Sequence, residues 1–233
     1  MTRNENRRRK KLEAKRKKGN DRKREIGRRI STGSAGRLRV SSHWPVVEAL
    51  MSDPESGRGM TTTALARRSP DGSQLAIAVF LVDQFCLGVK DAFARFETMS
   101  GWAELKSNLS SRQRLSSVAG EDVCRLVTEA VEYARSLGIA PHPDYREASL
   151  ILGDLDPEAS MTEFEFGNNG KPLYIAGPHD SSVRQRRILE CLARTVGQGN
   201  YRFVLPIGDP GSDELEFESV ENIAGPDADE FDV

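Results

Sequence analysis

The stretch Asp83-Gln84-Phe85-Cys86-Leu87-Gly88-Val89-Lys90-Asp91 sets a carboxylate, a thiol and an ammonium close together in the chain. It follows an apolar run, Leu75 to Val82, and the residues after it predict a helix over 89–99. A strand end that leads into a helix is where open α/β sheets hold their ligands. In that setting Asp83 is a candidate base or metal ligand and Cys86 a candidate nucleophile, while Gly88 and Lys90 could approach a phosphate. The spacing matches neither a Walker loop nor a GxGxxG fingerprint. The apolar neighbours of Cys86 (Phe85, Leu87 and Val89) equally suit an inert core thiol.

Two of the three histidines share a local pattern, in Pro141-His142-Pro143-Asp144 and Pro178-His179-Asp180. If the two loops met in space, His142, Asp144, His179 and Asp180 would offer mixed nitrogen and oxygen ligands to a divalent metal, or an acid–base pair. The plainer reading is structural: Asp144 and Asp180 as helix N-caps, with the prolines stiffening the turns. A helix N-terminus also disfavours a cation. The catalytic candidates are therefore Asp83, Cys86, His142 and His179. No metal or cofactor is specified by any spacing.

These residues have to be positioned by the elements around them. Thr61–Arg68 and Gln74–Asp83 predict a β-hairpin around the turn Ser69-Pro70-Asp71-Gly72-Ser73. Pro45–Met51 predicts a short helix opened by its proline. A weaker helical region runs over 102–118. Glu121–Leu137 carries the best amphipathic stripe, with Gly138 suited to the position after the helix. Asp144 to Leu152 predicts a short capped helix. Glu163–Phe166 and Pro172–Ala176 predict a second hairpin around Asn168-Asn169-Gly170. Ser182 to Val196 predicts a helix closed by Gly197, with Arg184, Arg186, Arg187 and Arg194 on its outer side and Glu190 as their expected ion-pair partner. Tyr201–Ile207 predicts a last strand. This order implies an α+β (or mixed α/β) domain with two β-hairpins and about four helices.

Charge divides the chain into three parts. Residues 1–39 hold 17 Lys and Arg against four acids, and residues 209–233 hold ten Asp and Glu with no base. Subtracted from 34 basic and 35 acidic residues overall, these leave 17 basic and 21 acidic for 40–208. The balance runs +13, −4 and −10, which the net charge of −1 conceals. The expected organisation is a disordered basic arm over 1–39, a globular domain over 40–208 and a disordered acidic tail over 209–233.

The arm points to a polyanion. Its cationic residues (Arg7, Arg8, Arg9, Lys10, Lys11, Lys15, Arg16, Lys17, Lys18, Arg22, Lys23, Arg24, Arg28 and Arg29) would displace counterions from nucleic-acid phosphates. Such contacts position a protein without reading sequence. The tail interleaves apolar residues with acids, which suits a segment that folds back over the basic arm and competes with nucleic acid, a docking motif for a protein partner, or a disordered solubilising segment. The expectation is a non-enzymatic accessory protein associated with RNA, the ribosome or DNA. The alternative is a small hydrolase or phosphate-handling enzyme built on the Asp83–Cys86 turn and the His142 and His179 loops. No run reaches the roughly eighteen apolar residues of a membrane span. Three scattered cysteines in apolar settings suit a reducing compartment, the cytoplasm or, in a eukaryotic host, the nucleus.

Overall fold

The computed structural model describes residues 35–54, 57–178, 180–207 and 216–219. The protein is an α+β molecule built on a five-stranded antiparallel sheet. Its strands are β1 (Val46–Ser52), β2 (Met60–Arg68), β3 (Leu75–Asp83), β4 (Gly88–Glu97) and β5 (Leu115–Ser117), in spatial order β4-β3-β2-β1-β5.

Period-two alternation sends β3 side chains to both faces of this sheet, and both are covered. Ala76, Ala78, Phe80 and Val82 join the larger core under helix α3 (Gly120–Ser136) and the short helix α4 (Tyr145–Ala148). Leu75, Ile77 and Val79 face helix α2 (Met99–Ser110), whose Trp102 is buried against them. Burial on both faces is why β3 reads as one continuous apolar run. Helix α1 (residues 35–41) docks on the larger core through Leu38, which is fully buried.

A second sheet holds β6 (Leu173–Ile175), β7 (Arg202–Ile207) and β8 (Glu216–Ser219), in the order β6-β7-β8. Strands β6 and β7 are parallel and joined through helix α5 (Ser182–Thr195), and β8 pairs antiparallel with β7. A smaller core forms there from Tyr174, Ile188 and Leu192 with Cys86, Leu87 and Leu137. Among the described residues no helix is long and apolar enough to cross a membrane.

The β2–β3 hairpin, α3 and α5 lie where the sequence predicts them, and Gly138 takes φ +78° just past α3 as expected. Other elements differ. Residues 45–51 are not a helix: β-branched Val46 and Val47 open strand β1, and Pro45 sits just ahead of it, a position that needs no ladder N–H. Residues 89–99 are not a helix either. They form β4, which sends Ala92, Ala94 and Phe96 to one face and Phe93 to the other. The weaker helical region breaks into α2 and β5.

The Asn168–Gly170 turn does form, with Asn169 at φ 51° and Gly170 at φ 76°, but it holds a single bridge between Asn168 and Lys171. Residues 163–166 are not a strand. The expected partner β6 pairs with β7 instead, in the register Leu173↔Arg202. Of the acidic tail, only Glu216–Ser219 falls within the described residues, and the arm through residue 34 lies outside them.

Candidate functional site

Because β4 is a strand, Asp83 occupies a hairpin turn and not a strand-to-helix junction. Its Oδ1 accepts the backbone N–H of Phe85 and of Cys86, both at 3.0 Å, which fixes the turn. Gly88 closes the turn at φ +63°, where an added methyl would fall 2.5 Å from the Ala130 carbonyl oxygen of α3. This turn is thus pressed against α3 with no room for a side chain at its last residue.

The register then slips. Val82 pairs with Val89 and Leu81 with Asp91, leaving Lys90 as the extra residue of a β-bulge. The bulge aims Lys90 at the loop ahead of α5: a methyl placed on Gly177 would lie 3.1 Å from Lys90 Nζ and 3.5 Å from Asp180 Oδ2. On the other side, the His142 backbone N–H donates to Val89 O at 2.9 Å, and His142 Nδ1 lies 3.8 Å from Asp91 Oδ1. The bulge therefore gathers segments that are far apart in sequence: the 83–91 turn, the Pro141–Asp144 loop and the loop at Gly177. His179 lies outside the described residues.

The electrostatics follow from burial. Asp83 is 3 % exposed, and loss of water pushes its carboxyl up to about 6, against the opposing pull of Lys90 and the turn amides. Cys86 has no exposed surface; burial pushes its thiol far above the ordinary range, and the Asp83 carboxylate adds to the effect. A thiol held protonated is not a nucleophile. Tyr133, whose hydroxyl donates to Phe85 O at 3.4 Å, is raised to about 12 by burial and by its neighbours Cys86 and Asp83. Asp83 and Cys86 are thus sealed from solvent, with Cys86 and Leu87 packed into the smaller core.

The two expected caps do other work. The Asp144 side chain makes no cap hydrogen bond to α4; instead its backbone N–H donates to His142 Nδ1 at 3.3 Å. Ser181, not Asp180, caps α5. Asp180 anchors the loop: its Oδ2 accepts from the Tyr174 hydroxyl at 3.0 Å and from the Gly177 N–H at 2.9 Å, and its Oδ1 meets Arg184 Nε at 3.1 Å. Asp180, and not Glu190, is thus the α5 ion-pair partner seen among the described residues. No group of three or more His, Cys, Asp or Glu among the described residues could hold a metal ion.

A buried arginine was missed by sequence reasoning. Arg67 donates to the Ile151, Trp44 and Leu152 carbonyls at 2.7–2.8 Å and to Asp154 Oδ1 at 2.9 Å. Its guanidinium holds the exposed Asp154 carboxyl below the usual carboxylate range. The signal that could have found it is a cation two residues on from Leu65, in the register that Leu65 turns into the core.

Two surfaces remain. Of the basic arm, Arg37 and Arg39 fall within the described residues, on α1. Arg37 lies over the Phe96 ring at 4.3 Å and donates to Gln74 Oε1 at 3.3 Å, so the arm joins the domain where β3 begins and β4 ends. The candidate arm residues from Arg7 to Arg29 lie outside the described residues. Separately, a shallow groove of about 380 Å³ runs between α5 and β7, with Gln185, Arg186, Leu189 and Ala193 on one wall and Tyr201 and Leu205 on the other. Comparison of the chain with protein-family models, with curated proteins and with solved structures finds no match.

Proposed function

We propose that this is a non-enzymatic accessory protein held on a nucleic acid (RNA, the ribosome or DNA) by its basic N-terminal arm. The observation that carries the reading is the density of that arm, 17 Lys and Arg against four acids in 39 residues. Cation density of this kind binds phosphates through counterion release. The docking of α1 supports it, because a buried Leu38 gives the arm a fixed root on the domain. The test is retention on immobilised RNA and DNA, with and without residues 1–34. Loss of retention on deletion, and fading retention of the intact chain between about 50 and 200 mM salt, are expected. Equal retention by the shortened protein overturns the proposal.

A second reading, a small hydrolase or phosphate-handling enzyme, draws on the convergence of the β4 bulge with the His142 loop and the Gly177 loop. It weighs less because Cys86 and Asp83 are sealed from solvent. Turnover of a phosphate ester that falls in Lys90→Ala and His142→Ala would favour it. Turnover unchanged in both variants removes it.

A further inference from the structure

The groove along α5 lies where the chain leaves its last described strand. Strand β8 ends at Ser219, which pairs with Val204 of β7; the next β7 residue, Leu205, and Tyr201, just ahead of the strand, belong to the groove wall. Fourteen residues follow Ser219. Fully extended they reach about 45 Å, whereas α5 is about 21 Å long, so the segment can run the whole helix. Its charge is opposite to that of the helix: Glu221, Asp227, Asp229, Glu230 and Asp232 with no base, against four arginines and one acid on α5, of which Arg186 lines the groove and Arg184 is already paired with Asp180. It also carries Val220, Ile223 and Phe231, of a kind to cover Leu189, Ala193, Tyr201 and Leu205.

We propose that residues 220–233 dock in this groove of the same chain and cover Arg186 and the apolar residues beside it. Glu190 on the groove wall disfavours a carboxylate at its own level, which suits the uncharged stretch Asn222-Ile223-Ala224-Gly225-Pro226. The acids on one side of that stretch then fall nearer Arg186. Docked in this way, the segment keeps α5 from phosphates while leaving the arm untouched. Such docking does not depend on what the arm binds.

The test places a photoreactive benzophenone side chain at Gln185 in the full chain, with no nucleic acid present, and maps the cross-links by mass spectrometry. Cross-links within one chain to residues 220–233 are expected. Replacing the five acids of the segment by their amides should more than halve the yield at low salt, and Leu189→Asp should remove it. The amide variant leaves the folded domain untouched, so its result stands even if Leu189→Asp fails to fold. Cross-links to a second copy, cross-links to residues 1–34, or a yield indifferent to the five acids overturn the proposal.

Discussion

Asp83 loses its water but keeps two backbone donors, and the contest between these effects governs how the turn responds to pH. Burial wins and raises the carboxyl to about 6. Between about pH 4 and pH 6 the folded chain therefore holds a proton that the unfolded chain has released. Stability from this group is full below about pH 4, falls as pH rises through that window, and is flat above it. Asp83→Asn keeps an oxygen for the Phe85 and Cys86 amides and removes the ionisation. It is expected to match the wild type in urea unfolding at pH 4 and to exceed it at pH 7 by up to about 3 kcal/mol, two pH units at 1.36 kcal/mol each. A constant offset between the two proteins at both pH values would show that the turn hydrogen bonds, and not the charge, decide the outcome.

At the scale of elements, α1 is held on the sheet chiefly by one apolar side chain, Leu38, with Arg37 stacked on Phe96 beside it. Leu38→Ala is expected to cost about 3 kcal/mol in urea unfolding, the usual loss for a fully buried leucine. A loss under about 1 kcal/mol would mean that α1 is not part of the cooperative fold. Elements with a single strong periodicity were legible in the sequence: the apolar run of β3, the stripe of α3 and the closing glycines of α3 and α5. Strand β4 was not, because Ala92, Ala94, Arg95 and Glu97 are good helix formers individually, and only the pairing with β3 overrides that preference. The bulge at Lys90 shifts the alternation by one residue and hides the strand period further. At the candidate site the turn residues were legible, but their neighbours were not. What meets the 83–91 segment comes from Tyr133 at Phe85, His142 at Val89 and Asp91, and Gly177 at Lys90, whose approach is fixed by tertiary packing.

For the whole molecule, the electrostatics argue for a division of labour between a cationic arm and a core region of charge −4. Removing residues 1–34 takes away 15 of the 17 bases of the arm and leaves Arg37 and Arg39 on α1. If the arm neutralises the phosphates, the slope of log affinity against log salt should shrink by about 0.9 for each duplex phosphate the shortened chain no longer neutralises, or about 0.7 on single strands. A slope unchanged by the deletion would move the phosphate binding to the folded domain. The rooting of α1 has one more consequence, which concerns distance. A segment of 34 residues can span no more than about 120 Å. Because Leu38 fixes its inner end, a bound arm confines the whole domain to a small volume around the polyanion. The local concentration there reaches the millimolar range typical of short tethers. A weak interaction elsewhere on the domain, at the Lys90 bulge or on an uncovered α5, would then be occupied without needing appreciable affinity of its own.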